Sequence, residues 1–185
     1  MVETPFAAAA LSAAPASLAV GLHAVLDPGA GEASAEVALR RQLARFVALR
    51  GAPPSHLDSH KHAHAAPGPF AAVVRVASEW RLPVRALDAA MRAALRAAGL
   101  HATDAFLGDA ARRPAWSEAA LLEALAAVGE GTTELMAHPG HRPSHARTSF
   151  GVEREVEWAA LRSEAVGSMV RSAGLHLCSY RDLAG

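Results

Sequence analysis

Short apolar runs alternate along the whole chain with longer stretches rich in Ala, Leu and Arg, and that alternation restricts the fold more than any other feature. Strands separated by helical crossovers pair side by side in parallel, so an α/β fold with a largely parallel sheet is expected. The expected strands are Leu18 to His23, Ser55 to Asp58, Pro83 to Leu87, Ala105 to Leu107, Thr133 to Ala137 and Leu175 to Ser179. Helical periodicity is clearest in Ala33 to Leu49, Gly68 to Trp80, Leu87 to Ala98, Ser117 to Val128 and Glu153 to Ala173. Ser117 is a good N-cap ahead of Glu118, and Gly99 and Gly174 stand where helix C-caps belong. Pro28 to Gly31 and His141 to Gly151 read as loops, the second long enough to carry function.

The chain has 185 residues, 51% of them apolar, which predicts one domain around one core. Its 18 basic side chains balance 18 acidic ones. A net charge of zero lacks the broad positive field that nonspecific nucleic-acid or anionic-membrane binding requires, so neither partner is expected. Cys178 is the only cysteine, which excludes an intrachain disulfide and a multi-thiolate zinc site and points to the cytoplasm. The Ala-rich stretch from Pro5 to Val20 has no Arg or Lys before it and contains Pro15, so it is read neither as a signal sequence nor as a membrane span.

Ten histidines are the unusual part of the composition. In Ser55-His56-Leu57-Asp58-Ser59-His60-Lys61-His62-Ala63-His64, the residues His56, Asp58, His60, His62 and His64 recur every second position. As long as that segment is extended, all five share one face. A row of imidazoles needs a metal, a partner carboxylate or solvent, and a divalent metal is the economical explanation. The competing reading is a solvent-facing His-rich loop, and Pro67 follows closely enough to place His62 and His64 in a loop, supporting the site from behind. His23 ends the apolar run Leu18 to Leu22, and the carboxyl ends of parallel strands are where ligands bind. His23 and His60 are thus expected to meet one ion. The apolar segment Glu134-Leu135-Met136-Ala137 delivers His138 into the turn at Pro139-Gly140, where an imidazole can serve as general acid or as a further ligand. His141 and His145 read as ordinary loop residues. Arg85 and Asp104 are candidate substrate contacts, with salt-bridge roles as the alternative.

Gly21-Leu22-His23, the segment Pro54 to His64, Glu134 to Gly140 and the ending Leu175-His176-Leu177-Cys178-Ser179-Tyr180-Arg181-Asp182-Leu183 together resemble the YdjC-like carbohydrate deacetylases. That family includes chitooligosaccharide deacetylase and a branch associated with hopanoid biosynthesis, toward which Thr103-Asp104-Ala105-Phe106-Leu107-Gly108 leans. The resemblance implies a distorted (β/α) barrel that uses a divalent cation, Mg2+ or Zn2+, to remove an N-acetyl group from an amino sugar or chitooligosaccharide-like substrate. It implies His23 and His60 as metal ligands and His138 as the acid.

The resembling proteins begin with a strand ending in Asp-Asp-Phe-Gly, which supplies a third ligand and the base. That motif does not occur in this sequence, and Met1-Val2-Glu3-Thr4-Pro5 corresponds to the end of the family's second strand. The expectation is therefore a barrel that is N-terminally incomplete, with an open strand edge that makes a homodimer worth testing. Asp58 is the candidate to stand in for the lost carboxylate, although the resemblance does not assign it that role. Two other readings stand beside the deacetylase. One is a truncated, non-catalytic member that binds a divalent metal without turnover, and the other is a His-rich metal-storage protein.

Overall fold

The computed structural model describes residues 1–108, 116–142 and 150–183. They fall into two compact units, residues 1–103 with 178–183 and residues 104–177. Both are built from parallel strands and helices, the mixed α/β class expected. Among the described residues, no helix is long and apolar enough to cross a membrane.

In the first unit, helix α1 (Ala7–Ala13) precedes β1 (Leu22–Ala24), which runs parallel to β2 (Leu57–Ser59) with His23 opposite Asp58. Bonds from Ser55 N to Val20 O and from Leu22 N to His56 O, each 2.9 Å, carry the pairing back before the strands proper. The expected strand Pro83 to Leu87 is reduced to a single parallel bridge between Val84 and Leu57. Pro83 has no N–H to give, so this segment joins through Pro83 O and Arg85 N, on either side of Val84.

Helix α2 (Glu32–Arg50) turns Leu39, Leu43 and Phe46 into the core at helical spacing and ends at Gly51, whose φ of 74° suits a residue without Cβ. Its buried Gln42 takes the N–H of Val25 on Oε1 and donates Nε2–H to Val25 O, both at 2.8 Å. The side chain thereby replaces a strand partner just past β1. Helix α3 (Pro67–Trp80) starts on the proline, which tolerates a first turn, and buries Val73, Val76 and Ala77. Helix α4 (Ala89–Ala97) is capped by Asp88, which accepts the Met91 N–H at 2.8 Å. The expected strand Leu175 to Ser179 does not form. Leu175 is only half-buried and Leu177 is 88% exposed, so the apolar alternation has no core to face, and helix α8 (Tyr180–Leu183) follows instead.

The second unit pairs β3 (Ala105–Leu107) with β4 (Thr133–Leu135), again in parallel. Ser117 caps α5 (Glu118–Ala126) as expected, accepting from Ala120 N at 3.2 Å. The single helix expected from Glu153 to Ala173 is two, α6 (Val152–Leu161) and α7 (Glu164–Ser172), because Ser163 turns extended and starts a new helix. Trp116, Leu121, Ala160 and Val166 form its core.

Candidate functional site

The described residues gather most of the expected site where β1 and β2 end. Parallel register sets His23 beside Asp58, and the His23 Nδ1–H donates to Asp58 Oδ2 at 2.8 Å. The same oxygen accepts from Arg85 Nη1 at 2.7 Å, and both Asp58 and Arg85 are buried. Burial pushes the Asp58 carboxyl up, but the His23 hydrogen bond and the Arg85 charge outweigh it and hold the group below its ordinary value. Arg85 therefore takes the salt-bridge alternative raised for it.

The two-residue histidine period stops at Ser59. A short 3-10 turn (His60–Ala65) begins there, with Lys61 and His62 in the left-handed region at φ 52° and 55°. The shared face expected of an extended segment therefore ends with β2, and His62 and His64 lie in the turn ahead of Pro67. The turn leaves His60 exposed, with its ring edge-on to His23 at 5.8 Å between centroids. Desolvation, then the charges of His23 and Lys61, lower the pKa of His60. His64 is buried on the far side of the turn. Its Nε2–H donates to Arg85 O at 3.2 Å, so its Nδ1 must accept, and the Ser59 hydroxyl donates to it at 2.6 Å. Ser59 Oγ in turn accepts the His64 backbone N–H at 2.8 Å, closing the turn on itself. Burial drops the His64 pKa to about 4, so this ring is neutral at pH 7. Ser59 and Gln42 carry structural weight that their sequence context did not single out.

His56 is taken up by packing. It stacks on Tyr180 at 4.0 Å and lies so close to Gly21 that a Cβ there would stand 2.3 Å from the ring, which explains the glycine before Leu22-His23. The ring of His62 meets that of His64 edge-on at 6.3 Å. Beside His23 lies a cavity of about 230 Å³ whose walls include Val2, Phe6, Leu11 and Phe46, a lining too apolar to recognise sugar hydroxyls.

His138 belongs to the second unit, three residues past β4. Helix α6 holds its main chain from both sides. Glu157 Oε2 accepts the His138 N–H at 2.5 Å, and Arg154 Nη1 donates to His138 O at 3.4 Å. Glu157 is fully buried, and burial raises its pKa against the opposing pull of the His138 N–H and the Arg154 charge. Nothing in the spacing of Arg154 and Glu157 distinguished them from an ordinary helix-surface pair. Asp104 ties the β3 entry to Thr132, accepting its N–H and hydroxyl at 2.8 Å each. His141 lies against Trp158 at 5.9 Å, while His145 falls outside the described residues.

Two imidazoles and a carboxylate thus meet at one strand end, but the carboxylate faces His23 and Arg85. Among the described residues, no three His, Cys, Asp or Glu side chains form a ready-made metal cluster. With Nδ1 facing Asp58, Nε2 is the His23 nitrogen left for a cation, and the ring of His60 stands 5.8 Å away between centroids. Two imidazoles are chemically suitable donors for a divalent cation, which would need further ligands beyond this pair.

Residues 1–172 match the family model described as YdjC-like protein. A carbohydrate deacetylase of Geobacillus stearothermophilus is 30% identical over 157 residues, covering 83% of this chain and 61% of that protein. Chitooligosaccharide deacetylases of Proteus mirabilis (strain HI4320) and Serratia marcescens are each 32% identical, over 80% and 95% of this chain and 60% and 82% of their own lengths. The chain therefore spans about three fifths of the first two of these relatives. A solved structure from Enterococcus faecalis V583, of a protein named for cellobiose-phosphate cleavage, superposes with a TM-score of 0.71 over 81% of this chain and 60% of that one. At 22% identity it speaks to the fold alone.

Proposed function

The chain belongs to the YdjC-like protein family, and from that premise we propose that it acts as a carbohydrate deacetylase that hydrolyses the N-acetyl group of an amino sugar or chitooligosaccharide-like substrate. The observation that carries this reading is the pairing of His23 and His60 at the ends of adjacent parallel strands, with His23 anchored from behind by Asp58. In the proposal these two imidazoles hold a divalent cation, and the fold is of the (β/α) barrel type that the family resemblance implies. When bound, such a cation polarises the amide carbonyl and acidifies water.

The overall reaction forms a bond from water oxygen to the acyl carbon, breaks the C–N bond and moves a proton to the departing nitrogen. His138 carries the proton-donor assignment from its motif, since an imidazole exchanges protons near neutral pH. His60, exposed at the rim, is open to ligand and solvent. His62 and His64 support it by shaping the turn, and His64 stays neutral while doing so. Two nitrogen donors favour zinc over magnesium, which prefers oxygen, while the family resemblance admits either. The alternative, a member that binds metal without turnover, shares the His23–His60 pair and parts from the deacetylase only in product formation.

Acetate release from N-acetylated chitooligosaccharides, measured with and without added zinc or magnesium, tests the reading. The expected result is metal-dependent release that His60→Ala lowers at least 100-fold. Stoichiometric metal uptake without acetate would favour the non-catalytic alternative, and full activity of His60→Ala would end the proposed site.

A further inference from the structure

We infer that Asp58 is a positioning residue: with Arg85 it locks His23 in the tautomer that carries its proton on Nδ1 and reserves Nε2 as the donor to a cation. The inference rests on the reading of His23 as a metal ligand and says how that ligand is prepared. A carboxylate only accepts, and Asp58 Oδ2 receives two bonds, 2.7 Å from Arg85 Nη1 and 2.8 Å from His23 Nδ1. Arg85 cannot give up its proton, so it is a permanent donor to that oxygen. The Nδ1 of His23 must be the other donor. The opposite tautomer would aim a lone pair at a buried carboxylate oxygen and place a proton on Nε2, where a cation would need the lone pair. Arg85 is itself fixed, since its N–H donates to Leu57 O at 3.0 Å and its carbonyl accepts from His64 Nε2 at 3.2 Å. The lock therefore runs from the β2 backbone through Arg85 and Asp58 to the His23 ring. It also gives Asp58 a task other than base or ligand, because its charge is matched by Arg85 inside the protein. Carboxylates behind metal-bound histidines commonly contribute 10–100-fold in affinity by this means.

Nitrogen-15 spectra of the imidazoles in the metal-free full chain read the tautomer directly. In the wild-type protein His23 is expected to show a protonated Nδ1 and an unprotonated Nε2. The reverse would overturn the inference whether or not any variant folds. In Asp58→Ala the one oxygen that accepts from both Arg85 and His23 is gone, so nothing holds the proton on Nδ1 and the ring reverts to the Nε2-protonated form that a free imidazole prefers. That variant, checked for fold by circular dichroism, is expected to flip the spectrum and to bind zinc 10–100-fold more weakly by calorimetry. Wild-type zinc affinity in Asp58→Ala, alongside a loss in His23→Ala, would sink the positioning role and leave the metal site standing. Unchanged affinity in His23→Ala would instead sink the site reading itself.

Discussion

At the end of β1 a buried carboxylate grips a histidine ring, whereas after β4 a buried carboxylate grips a histidine's main chain. Asp58 accepts from Nδ1 of His23, and Glu157 accepts from the backbone N–H of His138. Both carboxylates have an arginine at hand, but Arg85 bonds to Asp58 itself while Arg154 bonds to the carbonyl of His138. The difference separates two ways of preparing an imidazole. A ring held by a carboxylate has a chosen tautomer, which suits a metal ligand. A main chain held from both sides sets where the residue sits without itself choosing which ring nitrogen bears the proton, which suits a group that must change its protonation state.

The sharpest way to break this comparison is to remove the arginine at the first strand end. Arg85→Ala leaves Asp58 buried with half its compensation, and stripping one partner from a buried pair costs about 3–5 kcal/mol. Urea unfolding should show that loss, and a change within error would mean the pair is not the anchor described. Next in size is an acid effect at the same end. The unfolded chain protonates His64 as the pH falls through about 6.5, whereas the folded ring resists down to about 4. Stability should therefore decline across that window, by up to about 3 kcal/mol. Ser59→Ala and His64→Gln should flatten the decline, and an identical pH profile in His64→Gln would assign it to other groups.

At the second strand end, Glu157→Ala removes the acceptor of the His138 N–H and should cost about 1–3 kcal/mol. Hydrogen exchange at the His138 amide should quicken while zinc affinity stays as in the wild type. A weakened zinc affinity would contradict the division between the two ends. The smallest effect is expected from Arg40→Ala, which breaks an exposed cluster with Glu36 and Glu79 that salt already screens. Its unfolding midpoint in 0.5 M salt should match that of the wild type.

Much of the fold could be read from residue order. The stretches around Leu39-Leu43-Phe46 and Val73-Val76-Ala77 repeat at helical spacing, and both appear as helices with those faces buried. Ser117 caps where its side chain predicts. What escaped was local backbone choice under tertiary load. Leu175 to Ser179 alternates like a strand but leaves Leu177 in solvent, and the period from His56 to His64 is interrupted by left-handed Lys61 and His62. A non-glycine residue takes that conformation only when its surroundings enforce it, here through the Ser59–His64 bonds. The candidate ligands His23 and His60 were legible because strand ends and motif spacing are local. Arg154, Glu157 and Gln42 were not, because each acts on a residue 16, 19 or 17 positions away.

By itself the sequence determined the parallel α/β class, the family and the histidines offered at strand ends, since periodicity, turn residues and motif spacing are properties of neighbours along the chain. Only the tertiary structure decided what each polar side chain does. It placed Asp58 between His23 and Arg85, sent His64 inward and His60 outward, and set Glu157 on a main-chain N–H. Those choices follow from burial, because a charged or polar group taken out of water must find a partner, and the partner is chosen by proximity in space.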